Sequence, residues 1–237
     1  MAGRTRSAAG GTGRGPEAAL KRRVRRAVVA LEKRFGVPAV RRRGDLLGSF
    51  VLTSLSQHTS DVNAGRAFDA LKERFPTWAE VAAATPRQIA AAIRSAGLAN
   101  QKAPRIRAFV RWVKETFGDY DLSAIRAMPT EQVIALLTSV KGIGIKTVSV
   151  VLLFSLGRDV FPVDTHVHRI CRRVGLVAEK ATAERTHHRM ARLVPAGKSM
   201  SLHVNLLRLG RTICHARGPK CAECPLRRLC AYAKSKV

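Results

Sequence analysis

Apolar side chains recur at helical spacing along most of the chain. Between residues 20 and 31 they lie three or four positions apart, with arginine and lysine filling the other faces, as in a helix that buries one side. Similar stripes continue to residue 154. No stretch alternates with period two for long enough to predict a strand. The sequence therefore predicts an all-α fold.

Several residues that favour helix starts divide the body of the chain into short helices. Thr77 with Glu80 and Thr85 with Gln88 have the spacing of capping boxes, and a proline follows Thr85 at the first helical position. Asn100 is predicted to cap the next helix.

Residues 136–156, with the sequence LLTSVKGIGIKTVSVVLLFSL, organise the rest of the chain. Gly142 and Gly144 interrupt two apolar helices, which predicts a helix-hairpin-helix. Glycine allows turn angles that a Cβ forbids and lets another backbone approach closely. The amides of this turn and of the following helix start can bind a phosphate, and Lys141 adds a positive charge beside them.

Lys146 follows the hairpin glycines directly. A helix N-terminus and a dry, basic environment both disfavour its cation, so its neutral amine can act as a nucleophile. A further phosphate contact is the simpler interpretation for an isolated lysine. Part of this pattern occurs forty-four positions earlier, where Lys102 takes the place of Lys146, which makes Lys102 the rival nucleophile.

Asp164, in the sequence FPVDTHVHRI, is the candidate acid. An aspartate before Thr165 also has the pattern of a helix N-cap, and that alternative stays open. A carboxylate has no use in a protein that only binds a polyanion. Asp164 is therefore the feature that favours an enzyme over a DNA-binding scaffold.

Four of the five cysteines form a C-x6-C-x2-C-x5-C segment. A structural zinc ion is one alternative, although zinc ribbons usually carry two C-x2-C pairs. A [4Fe–4S] cluster suits the wider spacing better. The candidate ligands are Cys214, Cys221, Cys224 and Cys230. The remaining Cys171 is predicted to lie in the core.

The chain is strongly basic, with 43 Lys and Arg against 16 Asp and Glu and a net charge of +27. This excess predicts a polyanionic partner, and the absence of an 18-residue apolar run argues against a membrane. Residues 1–16, rich in Gly, Ala, Arg and Ser, are predicted to form a disordered basic arm. A mitochondrial targeting peptide is the alternative for this arm. Otherwise we expect the protein in the cytoplasm, near the nucleoid if it is bacterial.

Together, GIGIK around Lys146, VDTH around Asp164 and the cysteine segment resemble the endonuclease III family of DNA glycosylases and apurinic-site lyases. The resemblance covers the chain from about Lys21 onward. It implies a six-helix barrel at 46–157 and a second helical domain, made of 17–45 and 158–237, that holds the [4Fe–4S] cluster. Double-stranded DNA would lie across the cleft between them, bound by a monomer.

The resemblance also implies the reaction and the roles of the site residues. Lys146 would form an imine with the sugar of an oxidised pyrimidine nucleotide, assisted by Asp164, and β-elimination would then cut the strand. Three residues would fill the gap that the extruded base leaves in the duplex: Gln57, His58 and Leu98. Contacts with the DNA backbone would come from Lys141, Gly142, Gly144, His166, Arg169, Arg217 and Lys220.

Three positions depart from the family's usual pattern. Lys141 replaces a proline, His58 a glutamine and Ala99 a larger aromatic residue. These changes affect the expected lesion range and not the reaction type. A glycosylase of the same superfamily for another lesion, such as mismatched adenine or thymine, is the nearest alternative, although Lys146 argues against it. A DNA-binding scaffold and an electron carrier are more distant alternatives.

Overall fold

A computed structural model describes residues 15–39 and 44–235 of the chain. The predicted disordered arm at 1–16 lies almost wholly outside these residues, and the first helix already begins at Pro16. The described residues form α-helices and short 3₁₀ turns without a β-strand, which confirms the all-α prediction. The helices are α1 (Pro16–Phe35), α2 (Leu46–Leu55), α3 (Asp61–Arg74), α4 (Trp78–Ala83), α5 (Pro86–Ala92), α6 (Ala99–Phe117), α7 (Thr130–Thr138), α8 (Ile145–Phe154), α9 (Thr165–Val174), α10 (Ala183–Leu193), α11 (Ser199–Thr212) and α12 (Ala231–Lys234).

The helix starts follow the capping signals in most cases. The Thr77 hydroxyl accepts a hydrogen bond from the Glu80 amide at 3.2 Å, and the Glu80 carboxylate accepts one from the Thr77 amide at 2.8 Å. Thr85 and Gln88 form the second capping box as predicted. The expected cap at Asn100 is wrong, because α6 already begins at Ala99 after a residue in the left-handed conformation.

Two hydrophobic clusters divide the described residues into two lobes. The barrel lobe (α2–α8) buries the cluster that runs from Leu46 to Leu152. The cysteine lobe (α1 and α9–α12) buries the second, which runs from Val24 to Ala233. The barrel lobe contains seven α-helices, of which α4 has only six residues.

The N-terminal helix belongs to the cysteine lobe although it precedes the barrel lobe in the chain. Its buried residues Val24, Ala27, Val28 and Leu31 pack in the same cluster as α9, α10 and α11. Glu32 near its end accepts hydrogen bonds from Ser201 and Lys198 of α11 and its N-cap. No helix within 15–39 or 44–235 has the length and hydropathy that a membrane span requires.

Candidate active site

The loop between α7 and α8 forms the predicted hairpin. Gly142 has φ +94°, a conformation that side chains with a Cβ rarely adopt. A Cβ there would also meet the Arg105 side chain of α6 at 3.4 Å. Gly144 is the N-cap of α8 and provides no side chain to bind the first amides of that helix, so these amides are available to an anion.

Lys146 is the second residue of α8, directly behind the hairpin. Burial lowers the pKa of its amine, while the negative charges of Asp164 and Asp61 act in the opposite direction. Neither a hydrogen bond nor an ion pair joins Lys146 to Asp164 among the described residues, so the two charges interact through space. Burial therefore moves Lys146 towards the neutral form that a nucleophile needs.

Asp164 combines the two roles that the sequence left as alternatives. It is the N-cap of α9, and its carboxylate accepts a hydrogen bond from the Val167 amide at 2.8 Å. The same carboxylate acts electrostatically on Lys146. Since α8 belongs to the barrel lobe and α9 to the cysteine lobe, the acid and the amine meet at the junction of the lobes.

His203 is a buried residue of α11 that contacts the segment before Asp164. The sequence analysis did not predict this contact. Its Nδ1 donates a hydrogen bond to the Pro162 carbonyl at 3.0 Å, two residues before Asp164. The ring packs edge-on against Phe154 and Phe161. Burial lowers the pKa of His203 to about 4, so it is neutral at physiological pH. A lone histidine in a helix gave no signal of this contact.

Lys102, the rival nucleophile, is used elsewhere. Only 6% of this residue is exposed, and its amine donates hydrogen bonds to the Leu55 carbonyl at 2.7 Å and to the Ala96 carbonyl at 2.9 Å. Burial lowers its pKa. These two hydrogen bonds hold the amine in the interior of the barrel lobe, where Lys102 connects α6 to the end of α2 and to the 3₁₀ turn before Gly97.

The substitution Lys102→Met should therefore destabilise the protein rather than remove a nucleophile. Methionine has a similar volume, but it leaves the carbonyls of Leu55 and Ala96 without their donor, at a cost of about 1–3 kcal/mol. Urea unfolding should show this loss, while the folded variant still traps abasic DNA. A stable variant that no longer traps DNA would return Lys102 to the catalytic site.

The three predicted gap-filling residues lie on two loops of the barrel lobe. The Gln57 amide donates a hydrogen bond to the Thr147 hydroxyl at 3.3 Å, one residue from Lys146. His58 and Leu98 are the non-glycine residues with positive φ among those described, at 56° and 50°, and Leu98 is 48% exposed. Such strain costs on the order of 1–3 kcal/mol per residue and is common at functional sites.

Two predicted phosphate contacts on α9 point into the protein. Arg169 donates hydrogen bonds to the carbonyls of Cys214 at 2.8 Å and Gly210 at 3.1 Å, and its Nη2 lies 3.1 Å from His166 Nδ1. A Cβ at Gly210 would come within 2.7 Å of that histidine nitrogen. Arg169 and His166 therefore join α9 to α11, a packing role that the sequence analysis did not predict. The predicted contacts Lys141, Arg217 and Lys220 are exposed.

The four cysteines of the C-terminal segment line a single pocket. Burial raises the pKa of the Cys224 thiol to about 11, and the negative charges of the other three cysteines add to this rise. Within 15–39 and 44–235, no three potential ligands are grouped closely enough to hold a single metal ion. Cys171 lies apart in the core, fully buried as predicted.

Arg173 connects α9 to this pocket and was also missed. Its guanidinium donates hydrogen bonds to Cys214 Sγ at 3.3 Å and to the His215 carbonyl at 2.7 Å, and it stacks on the Tyr232 ring at 4.7 Å. The arginines that recur along α9 could have indicated this contact, but the sequence analysis gave a role only to Arg169, as a contact to the DNA backbone.

Comparison with known proteins gives the family. Residues 51–196, more than half of the chain, match the family described as HhH-GPD superfamily base excision DNA repair protein. The chain belongs to this superfamily. This match confirms the predicted resemblance to the endonuclease III family. It also confirms the predicted enzyme class, a DNA glycosylase.

Two relatives illustrate the range of the superfamily. Endonuclease III of Thermotoga maritima is 31% identical over 204 residues, which cover 86% of this chain and 90% of the relative. An Arabidopsis thaliana protein named as a candidate DNA glycosylase is 35% identical over 192 residues, or 81% of this chain. The match spans 62% of that plant protein, less than two thirds of its length.

Solved structures agree with the fold. A non-covalent endonuclease III–DNA complex superimposes with a TM-score of 0.78 at 23% identity, over 91% of this chain and 97% of that one. A thermostable thymine-DNA glycosylase gives a TM-score of 0.74 at 21% identity, over 91% and 97% of the two chains. At these identities the likeness to both structures concerns the fold alone.

Proposed function

We propose that this protein is a bifunctional DNA glycosylase and apurinic/apyrimidinic lyase that removes oxidised pyrimidines. The observation that carries the proposal is a lysine amine with a lowered pKa behind a phosphate-binding hairpin, facing the charge of Asp164 from the other lobe. A lysine that only contacts phosphate has no need of burial or of a carboxylate.

The reaction needs a nucleotide that is extruded from the duplex. The neutral amine of Lys146 attacks the sugar C1′, and the electrons of the C1′–N bond leave with the base, which takes up a proton. The carboxylate of Asp164 stabilises the positive charge that develops on the sugar. Ring opening gives a protonated imine, which acidifies the C2′ proton. Loss of that proton breaks the C3′–O bond and cuts the strand.

The DNA contacts that we propose use the hairpin and the exposed cations. Gly142 and Gly144 leave backbone amides for a phosphate, Lys141 adds positive charge in the same hairpin, and the loop between Cys214 and Cys221 carries the exposed Arg217 and Lys220. Gln57, His58 and Leu98 would enter the gap left by the extruded base. The positive φ and the exposure of His58 and Leu98 suit side chains that become buried only when DNA is bound, and Gln57 lies half-buried beside Thr147. We expect a monomer to bind one duplex.

We propose that the cysteine pocket holds a [4Fe–4S] cluster. Four cysteines of one short segment line it, and the arginine at 173 donates a hydrogen bond to one of their sulfurs, which suits a negatively charged thiolate. The cluster would stabilise the loop that carries Arg217 and Lys220.

Iron analysis should therefore find about four iron atoms per chain, with a broad absorbance at the blue end of the visible spectrum. Substitution of Cys221 by serine should lower both. One zinc ion per chain, without visible absorbance, would contradict the cluster and favour the zinc alternative.

The proposed reaction can be tested with wild-type protein and a set of duplexes, each with one modified base. Borohydride should reduce the imine and leave a covalent protein–DNA adduct with abasic DNA, and oxidised pyrimidines should be released faster than mismatched adenine or thymine. A protein that binds these duplexes but neither traps nor cuts abasic DNA would be the scaffold instead.

A further inference from the structure

A basic hollow lies on the cysteine lobe, away from the proposed catalytic residues. It has a volume of about 210 Å³ and lies between residues 19–26 of α1 and residues 228–234 near the other end of the chain. The residues that line it include no aspartate or glutamate. Five of them are cations: Arg22, Arg23, Arg26, Arg228 and Lys234. The proposed reaction does not use this hollow.

The end of α9 brings the two walls of the basic hollow together. The guanidinium of Arg23 donates hydrogen bonds to the carbonyls of Val174 at 3.4 Å and Gly175 at 3.3 Å, where α9 ends. Gly175 has φ +78°, and a Cβ there would meet Arg23 Nη1 at 3.3 Å and the Cβ of Ala231, the first residue of α12, at 3.4 Å. The hollow is therefore fixed by the packing of three helices, α1, α9 and α12.

The protein does not neutralise these cations. Among the described residues, no carboxylate forms an ion pair with Arg26, Arg228 or Lys234. Glu17, the acidic residue in the first turn of α1, forms ion pairs with two arginines of α10 instead. Cations that are grouped without a carboxylate repel each other, and an anion that binds among them removes this repulsion.

The basic hollow adjoins the 215–220 loop, which carries two of the proposed phosphate contacts. Arg173 in the last turn of α9 donates hydrogen bonds to the carbonyls of the first two residues of this loop, at 2.7 and 2.9 Å. The same guanidinium stacks on the ring of Tyr232 at 4.7 Å, two residues before Lys234 of the hollow. Positive charge therefore continues from the loop to the hollow around the end of α9.

We propose that the basic hollow binds backbone phosphates of the same duplex, outside the part that contains the damaged nucleotide. The inference rests on the proposed function only in placing the lesion beside Lys146 and Asp164. α9 has 10 residues and separates Asp164 at its start from the hollow at its end, a length of about 15 Å at about 1.5 Å per residue. Successive phosphates of one strand are about 3.4 Å apart along the duplex axis. The phosphates in the hollow therefore lie about four or more nucleotides from the lesion.

A phosphate site at this distance raises the affinity for long DNA without taking part in the reaction. Arginine can bind phosphate oxygens through two parallel N–H groups, and each phosphate that is neutralised releases counterions. Both effects are independent of base sequence and of damage. The hollow would therefore keep the protein on the duplex while the cleft between the lobes tests successive nucleotides.

The test measures how a triple variant binds a long and a short duplex. Arg26→Gln, Arg228→Gln and Lys234→Gln together remove three exposed charges, while Arg23 is kept because it binds the end of α9. Both duplexes contain a reduced abasic site that cannot be cleaved. The long one has about 31 base pairs, and the short one has about 9, so that it ends about four base pairs from the lesion on each side.

On the long duplex, the triple variant should lower the slope of log K against log salt by about 2–3, or about 0.9 for each phosphate contact that is lost. On the short duplex, the slope should change by less than about 0.5, because the phosphates that reach the hollow are missing. Fluorescence anisotropy titrations at several salt concentrations measure both slopes.

A matched control removes three other exposed charges from the same lobe, on α10 and in the turn before it: Lys180→Gln, Arg185→Gln and Arg192→Gln. Arg192 already forms an ion pair with Glu17, and none of the three lines the hollow. The two triple variants have the same net charge, so a difference between them reports the position of the charges. The control should bind the long duplex nearly as wild type does.

Hydroxyl-radical footprinting on the long duplex locates the contact. Wild type and control should protect the DNA beyond about the fourth nucleotide on one side of the lesion, and the triple variant at the hollow should lose only this outer protection. With saturating protein, all three should cleave a preformed abasic site at rates within about twofold of each other.

Equal salt slopes for the two triple variants would overturn the proposal, and so would an equal loss of slope on the long and the short duplex. Binding of two short duplexes to one wild-type protein would place a second duplex in the hollow and would also overturn it. A wild-type protein that shows the outer footprint but cannot cleave abasic DNA would instead contradict the proposed function and support the outer contact.

Discussion

Replacement of Lys146 by glutamine should abolish covalent trapping by borohydride and reduce strand cleavage at abasic sites by at least about a thousandfold. Glutamine keeps the length and polarity of the side chain but has no basic amine, so no imine can form. DNA affinity should change by no more than about threefold, because the hairpin amides and the exposed cations remain. Gel analysis of the adduct and a binding titration measure the two effects separately.

Lys141→Gln is the matched control for this prediction. Lys141 lies in the same hairpin and is exposed, so its loss should weaken binding and lower the salt dependence of binding by about one phosphate equivalent. It should still trap abasic DNA. If Lys146→Gln traps DNA as wild type does, the nucleophile is another group and the proposed mechanism is wrong.

The substitution Asp164→Asn should slow base release by about 10²–10³-fold while the protein stays folded. Asparagine caps helices as well as aspartate does, so α9 should keep its start, and only the charge is lost. The positive sugar then loses its nearest stabilising carboxylate. A time course of base release from a duplex with one oxidised pyrimidine, with samples quenched at intervals, measures this rate.

The same variant should shift the pH dependence of strand cleavage at preformed abasic sites. Only the neutral amine attacks, so the rate rises with pH up to the pKa of Lys146. The charge of Asp164 raises that pKa, and its removal should move the rising limb to lower pH. Asp164→Ala adds the loss of the cap, about 1 kcal/mol of stability. An unchanged pH profile in both variants would mean that Asp164 does not act on Lys146.

The features that could be predicted from sequence are local ones. The hairpin is encoded by Gly142 and Gly144 within a few residues, and the two capping boxes by pairs three residues apart. The all-α class follows from the periodicity of the whole chain. The family was predicted from the order of three motifs along the chain: GIGIK, VDTH and the cysteine segment. None of these motifs alone would have been sufficient.

The features that were missed depend on distant parts of the chain. Arg211 donates a hydrogen bond to Asp61, 150 positions earlier in the chain. His203 contacts the segment before Asp164 only because α11 packs beside it. The signals in the sequence also misled where one residue type has several uses. Arg169 looked like a phosphate contact because it follows Asp164 closely, but the carbonyl of Cys214 binds its guanidinium.

The packing of α1 has a consequence for biosynthesis. α1 leaves the ribosome before the barrel lobe, yet the partners that cover its apolar face, α9 to α11, emerge only after the whole barrel lobe. The barrel lobe can therefore complete its core during translation, while α1 must wait with exposed valines until the last third of the chain is made. Chaperones that recognise short apolar segments would have their longest opportunity at this helix.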